Sequence, residues 1–202
     1  MNVLVIGAHP DDYELGMGGT IKKHFANRDN IYTIIMSYGE KIGEPQRRKQ
    51  EALKSAKLLG IKEVFFLELE DTKINCSSDV IGRIEDITKS KKIERVYTHS
   101  PRDTHQDHRN TSNATLAAAR NVSQIIFYES PSSDLDFRPT FFVDIEQYLS
   151  CKIKSLKIYK SLSKLKKRYL EIKAIQSSAS FRGYQSKIKF AEGFEVYKFI
   201  EK

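Results

Sequence analysis

The chain has 202 residues, with 34 Lys and Arg against 26 Asp and Glu for a formal charge of +8. That length fits a single hydrophobic core, and an apolar share of 40% with 10 Tyr and 11 Phe excludes a globally disordered chain. No apolar run approaches the ~20 residues that span a bilayer. Residues 3–8 are interrupted by His9-Pro10-Asp11-Asp12 before a secretory signal could form, so a cytoplasmic protein is expected. Two cysteines, Cys76 and Cys151, support neither a disulfide framework nor a paired metal motif and are expected to be small semi-buried residues.

Residues 2–7 form a short Val/Ile-rich run that predicts a strand buried on both faces of a parallel sheet. A helix follows over 16–27, with Met17, Ile21, His24 and Phe25 at helical spacing, then a strand over 31–37. The next helix, 46–59, is stopped by Gly60 and is expected to turn Leu53, Ala56, Leu58 and Leu59 inward, before a strand at 63–67. A helix at 77–89, capped by Ser77 or Ser78, leads to a strand at 95–99. An Ala-rich helix at 111–120 and a strand at 124–128 complete a repeated strand–helix alternation. The pattern predicts a single-domain, Rossmann-like α/β fold: an open, mostly parallel sheet with helices on both faces. Residues 1–139 would form its core. Residues 140–202 would add a strand at 140–143, a basic helix or helix pair from 145 to about 176, and a last strand at 194–199.

Two segments hold most of the chemically capable side chains, and each follows a strand's carboxyl end, where open α/β sheets place their ligands. The first runs His9-Pro10-Asp11-Asp12-Tyr13-Glu14. The second runs His99-Ser100-Pro101-Arg102-Asp103-Thr104-His105-Gln106-Asp107-His108. His and Asp are the nitrogen and oxygen ligands of hydrolytic zinc, a catalytic site uses three of them, and the surplus can orient the ligands. Adjacent Asp11 and Asp12 could instead cap a helix, which is how such a pair would be read alone. Two clusters in one domain favour a metal site. His24 lies apart from both and reads as structural. The glycines at 16, 18 and 19 lack the P-loop lysine and fit close helix–sheet packing.

These motifs resemble the PIG-L / LmbE-like family of zinc-dependent N-acetylglucosaminyl deacetylases. The resemblance rests on Val5-Ile6-Gly7-Ala8-His9-Pro10-Asp11-Asp12-Tyr13-Glu14-Leu15-Gly16-Met17-Gly18-Gly19, the second histidine cluster, Arg48 and Glu51 before Leu59-Gly60, and Ala191-Glu192-Gly193-Phe194-Glu195. It implies a hydrolase that removes acetyl from an N-acetylglucosamine-type sugar on a nucleotide, lipid or malate scaffold. It further implies that His9, Asp12 and His108 hold one Zn2+ or another divalent ion, with Asp11 the general base. His105 would stabilise the oxyanion as an imidazolium and protonate the leaving amine, oriented by Asp107. Leu162 stands where relatives commonly carry Gln. Arg48 and Arg109 could hold sugar hydroxyls, acetate or phosphate, against a reading as surface ion pairs.

Residues 152–173 carry nine Lys or Arg and one acid, with Ile153, Leu156, Leu162, Leu165, Tyr169 and Ile172 at near-helical intervals. The pattern fits an amphipathic stretch packing on the sheet, or one attracting an anionic substrate or membrane surface. Competing functions are a metal-dependent hydrolase of another amide or ester, and a non-catalytic anion- or nucleic-acid-binding domain. No nucleic-acid motif supports the latter. A homo-oligomer is compatible with the sequence.

Overall fold

The computed structural model describes residues 1–165 and 168–201, with no side chains over 163–165. In β1 (Asn2–Gly7) the alternation of strand side chains sends Val3 and Val5 to one face and Leu4 and Ile6 to the other, all fully buried. A strand apolar on both faces needs helices on both. α1 (Asp12–Ala26) and α2 (Pro45–Leu59) cover one face, with Met17, Ile21, Ala52 and Leu59. α3 (Ser78–Ser90) and α4 (Gln106–Ala118) cover the other, with Val80, Ile84, Ala114 and Ala118.

β2 (Asn30–Ser37), β3 (Glu63–Leu69), β4 (Arg95–His99) and β5 (Gln124–Tyr128) join β1 in parallel, in the spatial order β3-β2-β1-β4-β5. β7 (Ala191–Phe199) then pairs antiparallel with β5, and β6 (Phe141–Asp144) closes that side antiparallel to β7. The sheet is therefore mixed but mostly parallel, as expected, and its chain reversal between β1 and β4 opens a crevice above the strands' carboxyl ends.

Several local expectations are corrected. The inward face of α2 carries Arg48, Glu51, Ala52, Ser55, Ala56 and Leu59, while Leu53 is 44% exposed. Ala56 and Leu59 face inward as expected, but the polar Arg48, Glu51 and Ser55 share that face, which hydropathy alone cannot register. Cys76 is exposed, and both cysteines are free. The basic stretch is not continuous. α5 (Leu149–Leu156) is followed by 3-10 turns at Lys160–Leu165 and Arg168–Leu170, then by α6 (Ile172–Ser186). Tyr159 and Leu162 are buried against α1 and α2, which bends the chain away from a single helix. Lys166 and Lys167 lie outside the described residues.

α1 starts at Asp12 rather than near Gly16, and Met17 breaks it with φ −150°. Past the break, the amides of Gly19 and Thr20 donate to the Glu192 carboxylate at 2.9 and 2.7 Å, so β7 caps a second half-helix. Gly16 is required by close approach: a Cβ there would lie 2.3 Å from the Tyr128 ring and 2.8 Å from the Glu129 carbonyl oxygen.

Candidate metal centre

The β1–α1 turn and the start of α4 meet above the sheet. α4 begins five residues before the expected helix, because the His105 side chain caps it: Nδ1 accepts from the Asp107 amide at 3.2 Å. That places Asp107 and His108 in its first turn, pointing back at His9 and Asp12.

Three groups of side chains could hold a cation: His9–Asp12–His108, His99–Asp103–His108 and His9–Asp71–Asp107. Their hydrogen bonding differs. His108 Nδ1 lies 3.0 Å from Asp103 Oδ2, leaving Nε2 3.4 Å from Asp12 Oδ1. His9 Nε2 lies 3.0 Å from Asp107 and 3.1 Å from Asp71, leaving Nδ1 3.6 Å from Asp12 Oδ2. Each imidazole thus has one nitrogen fixed by a carboxylate and the other turned to Asp12, the arrangement that sets tautomer and orientation in metal sites. His9, Asp12 and His108 also line a cavity of about 370 Å³, whereas His99, Asp103 and Asp107 do not. This donor set, two nitrogens and a carboxylate oxygen, fits a divalent ion with an open position.

Burial opposes charge on His9, but hydrogen bonds to Asp107, Asp12 and Asp71 prevail and hold its pKa well above the ordinary value. His108 is likewise opposed by burial yet raised to about 9 by Asp12 and Asp103. Burial pushes Asp12 up, and the charge of His108, with side-chain hydrogen bonds from His108 and His9, overcomes it and holds the carboxyl well below the usual range. His99 supports the site from below: Nε2 lies 3.1 Å from Asp12 Oδ2 and 3.0 Å from the Tyr128 hydroxyl, and burial lowers its pKa to about 4, so it is neutral.

Asp11 occupies the N-cap position of α1 but makes no side-chain capping bond, which sets aside the capping alternative. Its φ of 95° is a left-handed conformation costing on the order of 1–3 kcal/mol, of the kind that persists where surroundings over-determine it. Arg48 supplies the constraint. Its guanidinium is fully buried and donates to the Tyr38 and Pro10 carbonyls at 2.8 Å each and to Asp11 Oδ1 at 3.3 Å. Nη1 of Arg48 has no hydrogen-bond partner among the described residues. Arg48 is thus neither a surface ion pair nor a freely extended substrate arm.

Two further expectations are revised. The Asp107 carboxylate reaches His9 and the Thr72 amide, so only its backbone N–H orients His105. Burial, with the charges of His108 and His9, lowers the His105 pKa, which opposes a standing imidazolium in the metal-free chain. Arg109 donates to the carbonyls of Asp103 and Thr104 at 2.8 and 2.7 Å and braces the loop rather than lining the cavity. Asp71, 3.1 Å from His9 Nε2, belongs to neither sequence cluster. It sits in an unpatterned loop after β3, and only its carboxyl type offered a signal.

The family model described as PIG-L, GlcNAc-PI de-N-acetylase, matches residues 4–119. The chain belongs to the PIG-L family. An uncharacterized deacetylase, YaiS, of Escherichia coli K12 is 35% identical over 167 residues, covering 79% of this chain and 90% of that protein. The diacetylchitobiose deacetylase of Thermococcus kodakarensis is 27% identical, covering 95% and 81%. The crystal structure of a 4-carboxy-2-hydroxymuconate hydratase from Pseudomonas putida KT2440 superposes with a TM-score of 0.87 at 22% identity, covering 100% and 98%, and so shares the fold. Within this PIG-L chain, the matched region carries every residue of the cluster from His9 to His108 and ends before β5.

Proposed function

We propose that this PIG-L protein is a metal-dependent N-deacetylase that removes acetyl from an N-acetylglucosamine-type sugar, releasing acetate. The observation that carries the reading is the convergence of His9 Nδ1, Asp12 and His108 Nε2 on a cavity that Asp11 also lines. These three residues would hold the ion, with Zn2+ the best match to the donor set. A divalent cation bound there supplies Lewis acidity for the acetamide carbonyl and lowers the pKa of the attacking water to about 7.

The chain's own residues do the rest. Asp11, fixed by Arg48, accepts the proton of the attacking water and returns it to the amine nitrogen as the C–N bond breaks, which frees the amino sugar and acetate. Because His105 Nδ1 accepts the Asp107 amide proton, the neutral ring carries its hydrogen on Nε2, and that N–H donates to the developing oxyanion. Asp107 and Asp71 orient His9, and Asp103 orients His108. Loop residues Gly39, Lys41, Ile42, Pro131 and Ser132 wall the cavity and set which sugar fits. The relatives described as deacetylases support this reading.

Elemental analysis coupled to acetate release from N-acetylglucosamine, its disaccharide and its nucleotide sugar tests it. About one metal ion per chain with acetate release lost in Asp11→Ala is the expected result. Bound metal without acetate release from any of them would overturn the deacetylase reading while keeping the site.

A further inference from the structure

A second cavity, of about 380 Å³, adjoins the first, and Leu15, Pro131 and Tyr169 line both. Each volume is near the lower end of the ~300–1,000 Å³ typical of small-molecule sites, so together they match a substrate of two ring-sized parts better than one. The lining of the second cavity states its chemistry. Lys152 and Glu192 are both buried there and joined at 2.7 Å. Arg182 grips Glu129 through two hydrogen bonds. Both cations are therefore committed to carboxylates, and Asp134 at the rim adds a third acid.

Three carboxylates against two cations give this cavity a negative balance on a chain whose net charge is +8. A phosphate or carboxylate entering it would have to draw Arg182 from the partly exposed Glu129 or Lys152 from Glu192, the latter leaving a carboxylate uncompensated in a desolvated setting. An uncharged polyol meets no such penalty. Carboxylate oxygens accept its hydroxyls, and the apolar edges of Leu15, Phe137 and Tyr169 can pack against the C–H face of a pyranose.

We infer that the second cavity is a subsite for an uncharged glycosyl group attached to the N-acetylated ring, so that the substrate is a neutral oligosaccharide rather than a nucleotide-, phosphate- or malate-linked sugar. The inference rests on the deacetylase reading for the placement of the first ring. Calorimetric titration of the metal-loaded Asp11→Asn protein tests it with three probes: N-acetylglucosamine, its β-linked disaccharide and its 1-phosphate. The disaccharide should bind at least tenfold more tightly than either of the others. Ala179→Phe, which fills the cavity from α6, and Ser178→Trp, an exposed rim position chosen in case the first variant misfolds, should both erase that preference. Equal affinity for disaccharide and monosaccharide, tighter binding of the 1-phosphate, or a preference surviving both variants would overturn the inference. Acetate release by the unaltered protein reports on the other reading. Disaccharide binding sensitive to both variants but without acetate release removes the deacetylase and keeps the subsite. Acetate release from the monosaccharide without disaccharide preference does the reverse.

Discussion

His9 and His108 each carry a proton in the metal-free chain at neutral pH, because the acids around them outweigh the cost of burial. A metal ligand must be neutral, so binding displaces protons and affinity rises with pH, by up to about tenfold per pH unit for each proton displaced. Chelator-competition titrations from about pH 6 to about pH 8 should show that rise, and a flat profile would place the ion elsewhere. The sign for stability follows the same groups. The folded pKa of His108 lies above its ordinary 6.5, so its contribution is complete below that value and is lost as pH rises through about 9. The melting temperature of the metal-free protein should therefore fall on the alkaline side. Asp11→Asn removes the proton acceptor while keeping a residue tolerant of φ 95°. Acetate release should drop by about 10²–10⁴ with metal content unchanged.

At the scale of elements, the broken α1 is held by β7 and α5. Glu192 accepts two amides of the second half-helix and pairs with buried Lys152, so Glu192→Ala strands a buried ammonium and two backbone donors. A loss on the order of 3–5 kcal/mol is expected in denaturant unfolding. The double variant Glu192→Ala with Lys152→Met should recover part of it, since no unpaired charge remains. Gly16→Ala drives a methyl into the Tyr128 ring and Glu129 carbonyl and should cost about 1–3 kcal/mol. Because Tyr128 touches His99, and His99 touches Asp12, that variant should weaken metal affinity as well. The 3-10 turn at Lys160–Leu165 is tied to α2, with the Ser161 amide and hydroxyl both donating to Glu51. Leu162, fully packed against the first face, occupies a core position there.

For the whole molecule, both faces of the sheet are covered, and among the described residues no helix is long and apolar enough to cross a membrane. An ion that binds only the folded chain stabilises it by mass action, about 2.7 kcal/mol when free metal is 100 times its dissociation constant. Thermal scans with and without a chelator should separate accordingly, and coincident scans would argue against an ion bound to the folded chain. The positive charge is unevenly placed. Arg47, Lys54, Lys154, Lys157 and Lys160 border one groove between α2 and α5, whereas Lys152, counted by sequence with that basic stretch, is buried in an ion pair.

The order of strands and helices, the mostly parallel sheet and the residues gathered at its carboxyl edge follow from the chain's own pattern. Apolar periodicity and strand-terminal His and Asp are local properties, visible along one dimension. Which nitrogen of each histidine faces Asp12, the recruitment of Asp71 and His99, the burial of Arg48 behind Asp11, and the pairing of Lys152 with Glu192 join residues up to 98 positions apart, as in His9 with Asp107. Those contacts depend on how helices pack across the sheet, and polar partners carry no periodic signal. The tertiary structure alone decided them, and with them the charge and shape of the space beside the site.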